Sequence, residues 1–342
     1  MARTLVISDL HIGARAAVSV LEREAPRELL LSELERVDRL VLLGDVVEMI
    51  EAQPRSAMAV AAPILRAIGE RLGDERPIVL VPGNHDRPLV RAWIRGCGTA
   101  LAADELVPPT ASPFLEQVVS WLGARRVEVR YPGAWLGERV WATHGHYLDR
   151  HLVPVSTWGV LRGGRQRAEE MPASPSAYER SGRLHLSPAI RRLPRPVAAI
   201  VEDVGDLVRA ATMPRVQRRV LHRRIAPLTA RLLSVQMRRH SLPALARVLA
   251  DLAIDADAVV FGHVHRLGPL PDDDPARWRA GATAFVNTGS WVYEPLLVHR
   301  ATPPHPYWPG GAVVLEDGLP PRPVGLLDGL SAAQLRGADS LD

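Results

Sequence analysis

Short apolar runs alternate with longer segments of helical periodicity along the first third of the chain. Runs of strand length lie at 4–7, 39–43 and 77–81, and segments with apolar residues three or four positions apart lie at 20–36 and 56–72. Strands that alternate with amphipathic helices are typical of layered α/β domains. This part of the sequence therefore predicts an α/β fold.

The strand pattern stops in the middle of the chain and then returns. Further strands are predicted at 126–130, 139–142, 258–261, 282–286 and 312–315. Between them, residues 149–250 are rich in proline and show helical patterns near 197–211 and 215–239, which favours short helices and loops. We predict a core formed by 1–148 and 251–328, a mainly helical insertion at 149–250 that is a candidate cap or lid, and a weakly ordered tail at 329–342.

Composition places the chain among globular proteins of reducing compartments. Its 342 residues are 47% apolar and 23% charged, which is enough to bury a large core. The single cysteine, Cys97, excludes an internal disulfide and a cysteine-built metal site. The N-terminus resembles no targeting segment and no apolar run reaches the length of a membrane span, so we expect a cytoplasmic protein.

Positive charge is concentrated in the predicted insertion. Residues 150–250 contain 19 arginines and 6 acidic residues, a net charge of +13, whereas the whole chain carries +4. Such a block could attract a polyanionic substrate or an anionic membrane surface, or it could simply be a solvated helical face. It lacks the interleaved aromatic residues and the motifs of nucleic-acid-binding proteins, so nucleic acid is not the favoured partner.

Polar side chains that can bind metals follow five of the predicted strands. Loops at the carboxyl ends of strands form the ligand sites of open α/β sheets, so we expect these clusters to converge. Residues two apart on an extended segment also point to the same side and can share an ion. In chain order the clusters are Asp9-Leu10-His11, Gly44-Asp45, Gly83-Asn84-His85-Asp86, His144-Gly145-His146 and Gly262-His263-Val264-His265.

Imidazole and oxygen donors without thiolate suit Mn²⁺, Fe or Zn²⁺ better than Ca²⁺. Each cluster alone is a weak signal, and a Gly-Asp pair alone indicates a turn or a helix cap. The ordered set is much more specific. It resembles the calcineurin-like metallophosphoesterase superfamily over about 1–148 and 251–318, which implies a four-layer αββα sandwich of two mixed sheets with a dinuclear metal site.

The resemblance also implies a role for each residue that matches a family motif. Two divalent ions are expected, with Mn²⁺ as the first candidate and Fe or Zn²⁺ as alternatives. A hydroxide bound by the two ions would attack phosphorus. The first ion would be held by Asp9, His11 and His265, the second by Asn84, His144 and His263, with Asp45 as the bridge.

Residues beside the predicted ligands have further expected roles. His85 would face the substrate as a catalytic residue and Asp86 would orient it by accepting its other N–H. His146 is a candidate substrate-binding residue, or alternatively a side chain behind the site or at the surface. Asp149 would orient its loop or begin a helix, and the turn at 287–290 is expected to be scaffold.

The function implied is hydrolysis of a phosphodiester or pyrophosphate bond in a phosphate-containing small molecule or a lipid-linked substrate. A phosphomonoesterase or protein phosphatase, a nucleic-acid binding or cleaving protein and a non-catalytic scaffold are the alternatives. Residues 7–11 and the Arg-rich insertion partly resemble the UDP-2,3-diacylglucosamine pyrophosphatase branch, which would suit peripheral contact with a membrane. His85 and His146 depart from the pattern of that branch. The sequence leaves the oligomeric state open.

Overall fold

The structure, a computed structural model, describes residues 2–14, 19–123, 126–151, 174–181, 233–235, 237–298 and 300–336. Most of the predicted basic insertion, including the helical pattern at 197–211 and most of that at 215–239, lies outside the described residues, so its role as a cap or lid stays a prediction. Within the described ranges, no helix combines the length and the apolar character that crossing a bilayer requires.

Eleven strands of the described chain form one curled mixed sheet. Their order is β11-β10-β1-β2-β3-β5-β6-β7-β9-β8, and β4 pairs with β5. Five pairs are parallel: β1 with β2, β2 with β3, β3 with β5, β6 with β7, and β7 with β9. The remaining pairs are antiparallel. The strands are β1 (Arg3–Ile7), β2 (Arg39–Leu42), β3 (Ile78–Leu80), β4 (Asp104–Leu106), β5 (Val127–Gly137), β6 (Val140–Thr143), β7 (Ala258–Phe261), β8 (Arg279–Ala280), β9 (Thr283–Asn287), β10 (Gly311–Glu316) and β11 (Arg322–Gly325).

Strand β5 belongs to both halves of this sheet. Its start pairs with β3 and its end pairs with β6, so the sheet folds over and buries one face of each half against the other. Alternation along the strands supplies both cores, since successive side chains point to opposite faces. Val6, Val41 and Val260 pack between the two halves, whereas Leu5 and Phe261 face the helices outside.

Helices cover the outer face of each half. Helices α1, α2 and α4 pack on the half that contains β1 to β3, and α6 packs on the half that contains β6 to β9. The helices are α1 (Glu24–Leu34), α2 (Pro54–Leu72), α3 (Arg91–Cys97), α4 (Pro113–Leu122), α5 (Pro175–Ser181), α6 (Leu242–Asp251), α7 (Pro295–Val298) and α8 (Ala332–Arg336). The predicted α/β fold is confirmed, and the two sheets expected are two halves of one continuous sheet.

Two predicted boundaries differ from the structure. Helix α6 was expected to belong to the insertion, but Leu242, Leu245 and Leu249 are buried against the sheet. Three apolar residues at helical spacing on one side of a helix are enough to attach it to the core, whatever the charge of the surrounding segment. At the other boundary, the tail predicted to be weakly ordered contains α8, and Leu335 is buried in the main core.

Candidate metal centre

The first group of predicted ligands meets where β1 and β7 end. Asp9 and His11 follow β1, and His265 follows β7. His265 Nε2 lies 3.1 Å from Asp9 Oδ1 and 3.2 Å from His11 Nε2. The three ligand atoms lie within 4.8 Å of one another. This is the trio that the resemblance assigns to the first ion.

The second group forms beside the first around His144, which follows β6. Ligand atoms of Asp45, His144 and His263 lie within 4.8 Å of one another. His144 Nε2 is 3.0 Å from Asn84 Oδ1 and 3.1 Å from Asp45 Oδ2. Asp45 Oδ2 is also 3.7 Å from His11 Nε2, so this carboxylate lies between the two groups. The structure brings all seven predicted ligands together.

Unusual backbone conformations are concentrated at these positions. Seven non-glycine residues of the described chain have positive φ, and five of them are predicted ligands. A left-handed conformation costs an ordinary residue about 1 kcal/mol or more, and such strain is typical of functional sites. The five ligands are Asp9 (φ 53°), His11 (43°), Asp45 (53°), His263 (68°) and His265 (55°).

The glycines of the motifs are required by close packing. A Cβ atom on Gly44 would collide with the His144 ring, and one on Gly262 would collide with Ser8 and with the Asp9 carboxylate. Gly44 also has φ 88°. A ligand from one loop thus lies directly against the glycine of another, and this explains why the ligand motifs contain a glycine at these points.

Acceptors outside the two groups fix the orientation of two histidines. His11 Nδ1 is 3.0 Å from Glu48 Oε2, and His144 Nδ1 is 3.1 Å from the carbonyl oxygen of Leu43. A neutral imidazole that donates from Nδ1 keeps its lone pair at Nε2. Both rings therefore present Nε2 to the interior of the site, which is the arrangement that metal-binding histidines normally have.

Glu48 is a residue of the site that the sequence analysis missed. Its carboxylate is buried and its Oε2 lies 2.7 Å from His85 Nδ1 as well as 3.0 Å from His11 Nδ1. Burial alone would raise its pKa, but hydrogen bonds with His11 and His85 lower the pKa of Glu48 to about 2. The available signal was its position three residues after Asp45, in the loop that follows the strand predicted at 39–43.

His85 is held in place by the carboxylate of Glu48. Burial alone would lower its pKa, but the hydrogen bond to Glu48 and the charge of Asp45 raise the pKa of His85 to about 9. A raised pKa favours the protonated imidazole, and the His85 side chain is 24% exposed. With Nδ1 bound to Glu48, Nε2 is the nitrogen left for a substrate.

Asp86 does not have the partner that the sequence analysis predicted. Its carboxylate accepts hydrogen bonds from the backbone N–H of Val46, at 2.8 Å, and of Gly83. Burial, together with the charge of Asp45, raises the pKa of Asp86 to about 6. Glu48 takes the expected place beside His85, and Asp86 instead ties together the loops after β2 and β3. The adjacency of Asp86 and His85 in sequence was misleading.

His146 lies in a buried cluster behind His144. Its side chain is 11% exposed, and its Nε2 is 3.3 Å from Tyr131 Oη and 4.0 Å from Glu179 Oε1. Burial lowers the pKa of His146 below its usual 6.5. The geometry therefore favours the alternative of a side chain behind the site over the predicted substrate contact.

The two remaining candidates contact the loop that begins at Gly262. Both carboxylate oxygens of Asp149 are 3.0 Å from His263 Nε2, and Asp149 lies in a short 3-10 helix, His146–Arg150. Asn287 donates to the carbonyl oxygen of Gly262 at 2.8 Å and accepts from Gly289 N–H at 2.9 Å. This is consistent with the scaffold role expected for the 287–290 turn.

The residues present fit two divalent cations. His144 Nε2 points at two acceptor oxygens, and the nitrogens of His11 and His265 face each other at 3.2 Å. Burial alone would raise the pKa of Asp9, but the neighbouring His265 lowers it to about 2, so the carboxylate is charged. Facing lone pairs beside buried carboxylates are favourable where a cation lies between them. The absence of thiolates suits a metal that prefers nitrogen and oxygen donors.

Comparison with known proteins gives one family. The family model for calcineurin-like phosphoesterases matches residues 2–188, more than half of the chain, and the matched part contains five of the seven predicted ligands. A comparison with curated proteins gives no match. The chain belongs to the calcineurin-like phosphoesterase family.

Proposed function

We propose that this protein hydrolyses phosphodiester or pyrophosphate bonds with the help of two divalent ions bound at the two ligand groups. The observation that supports this proposal best is the position of Asp45 between the two groups, with His85 beside them. Two ions about 3.5 to 4 Å apart would lower the pKa of a water molecule and neutralise the charge of the phosphate oxygens. We propose Mn²⁺ as the first candidate, with Fe or Zn²⁺ as alternatives.

The protein's own residues supply orientation and a proton. Asp45 Oδ1 accepts the backbone N–H of His85 at 2.8 Å, so the ligand group and the proton donor are held in fixed relation. A protonated His85 Nε2 can donate to the leaving oxygen. This donation helps an alkoxide leaving group most, because an alkoxide is a strong base that a proton stabilises.

The substrate class that we propose is a phosphate-containing small molecule or a lipid-linked pyrophosphate. The net charge of +13 between residues 150 and 250 supports a polyanionic substrate, since arginine can bind phosphate through two parallel hydrogen bonds. Peripheral contact of this segment with an anionic membrane surface is part of the same proposal.

The test is hydrolysis of bis-p-nitrophenyl phosphate and of p-nitrophenyl phosphate by metal-free protein, with and without added Mn²⁺. We expect Mn²⁺-dependent turnover of the diester that is lost in Asp45→Ala. The matched control is Asp74→Ala, since Asp74 is an exposed aspartate that precedes β3 at the edge opposite the site. Turnover of the monoester alone would instead support a phosphomonoesterase, and turnover that survives in Asp45→Ala would refute the role of the two groups.

A further inference from the structure

The contact between Asp149 and His263 differs from the other contacts of the predicted ligands. In His11 and His144 the outer nitrogen is Nδ1, which is bound to Glu48 and to the carbonyl oxygen of Leu43. In His263 the nitrogen bound by an outside acceptor is Nε2, and both Asp149 oxygens lie 3.0 Å from it. If the contact persists when the ion is bound, His263 must present Nδ1 to it.

We propose that Asp149 is a positioning residue that holds His263 with its proton on Nε2, so that the Nδ1 lone pair is directed at the second ion. The proposal rests on the proposed function, because it concerns one of the same two ions. Asp149 itself does not enter the ligand group of Asp45, His144 and His263, whose ligand atoms lie within 4.8 Å of one another. Its effect on the ion is therefore transmitted through the imidazole.

Local geometry supports a fixed position for both partners. The backbone N–H of His263 donates to the Asp9 carboxylate, at 3.0 Å from Oδ2, which ties the start of this loop to the first ligand group. Asp149 lies on the 3-10 helix that begins directly after Gly145, whose φ is 107°. That helix therefore follows the ligand His144 after a single residue. The loop after β6 thus provides a ligand of the second ion and also the carboxylate that orients another ligand.

The chemistry of the contact gives the size of the expected effect. A carboxylate that accepts the second N–H of a metal-bound imidazole fixes the ring, selects the tautomer and makes the ligating nitrogen more basic. Loss of such a partner typically weakens metal affinity by about 10-fold to 100-fold. Because the hydrogen bonds of Asp149 go to His263, a predicted ligand of the second ion, the loss should affect the second ion and leave the first ion bound.

The experiment measures binding of Mn²⁺ alone to metal-free protein by titration calorimetry and by electron paramagnetic resonance. We expect wild-type protein to bind two ions with magnetic coupling between them. In Asp149→Ala we expect one ion to bind as before and the second to bind about 10-fold to 100-fold more weakly, so that an uncoupled Mn²⁺ signal appears at one ion per chain. Asp149→Asn keeps an acceptor oxygen for Nε2–H and should lie between the two.

Controls separate this positioning role from a loss of structure. The Asp149 side chain is 56% exposed, so its truncation leaves no buried cavity, and the melting temperature of metal-free Asp149→Ala should equal that of wild type. Asp74→Ala controls for loss of an exposed carboxylate elsewhere. Second-ion affinity in Asp149→Ala equal to or above that of wild type would overturn the inference, as would an Asn variant no better than the Ala variant. Failure of wild type to bind two ions would overturn the proposed function together with it.

Discussion

The buried carboxylate of Glu179 is predicted to attach α5 to the loop that contains His85. Glu179 lies on α5 and accepts hydrogen bonds from Arg87, at 2.6 Å and 3.1 Å, and from Tyr147 at 2.9 Å. Tyr131 donates a further hydrogen bond. The side chain of Glu179 is 7% exposed and that of Arg87 is 34% exposed. Glu179→Gln keeps the shape of the side chain and removes the charge that balances Arg87.

The expected cost follows from these contacts. Breaking a buried ion pair by removing one partner costs about 3 to 5 kcal/mol, and water reaches Arg87 enough to favour the lower end, about 3 kcal/mol. At roughly 2 °C per kcal/mol for a chain of this size, the melting temperature should fall by roughly 6 °C. The matched control is Glu35→Gln, which removes an ion pair with Arg71 whose partners are 59% and 34% exposed and should cost about 1 kcal/mol or less.

The same pair predicts a pH dependence. Burial alone would raise the pKa of Glu179, but His146 and Arg87 hold it well below the usual 4.5. A depressed pKa means that the stabilisation is fully present above pH 4.5 and is lost as the pH falls through the lower pKa of the folded state. The difference in stability between wild type and Glu179→Gln should therefore narrow as the pH is lowered below 4.5.

Urea unfolding of metal-free protein, followed by circular dichroism at several pH values, measures both effects. Metal-free protein is used so that loss of ions at low pH does not enter the comparison. A Glu179→Gln variant as stable as the Glu35→Gln control at pH 7, or a difference that does not change with pH, would refute the argument that Glu179 is a charged anchor.

Three further substitutions test the site itself. His85→Gln should lower kcat by about 10²-fold to 10⁴-fold while two Mn²⁺ ions still bind. Steady-state kinetics measures kcat and metal analysis counts the ions; loss of an ion would contradict a role in proton donation. Glu48→Gln should lower both kcat and the affinity for the first ion, since Glu48 contacts His85 and His11. A change in kcat alone, or in affinity alone, would limit the role of Glu48 to one of these two histidines. Gly44→Ala should weaken metal binding and lower the melting temperature, because its Cβ would collide with the His144 ring at a position with φ 88°; an unchanged calorimetric titration would show that the two loops can separate.

The sequence was sufficient to predict most strands of the sheet, and the side chains that meet at its edge, because both depend on local patterns. The segments predicted as strands correspond to β1, β2, β3, the start of β5, β6, β7, β9 and β10, and each ligand motif follows such a segment within a few residues. Strand β11 was missed because Arg322 and Pro323 give it no apolar pattern, and among the described strands it pairs only with β10, at the edge of the sheet.

Contacts between distant segments were beyond local patterns. Asp86 was paired with its neighbour in sequence, whereas the loop directs its carboxylate to the backbone of Gly83 and Val46. Glu48 reaches His85 only because the loops after β2 and β3 lie side by side. Most of α6 lies in the Arg- and Pro-rich block predicted as the insertion, but three leucines at helical spacing bury the helix against the sheet.

The shared strand β5 gives metal binding a mechanical consequence. Because β5 joins two half-sheets that pack face to face, each ion would draw its ligands from both halves: Asp9 and His11 with His265, and Asn84 with His144 and His263. Neither half holds the complete predicted ligand set of either ion, so binding and docking of the halves are coupled. An ion present at 100 times its dissociation constant would add about 2.7 kcal/mol to the folded state. The ions would thus act as reversible cross-links between the halves in a protein whose single cysteine cannot form an internal covalent one.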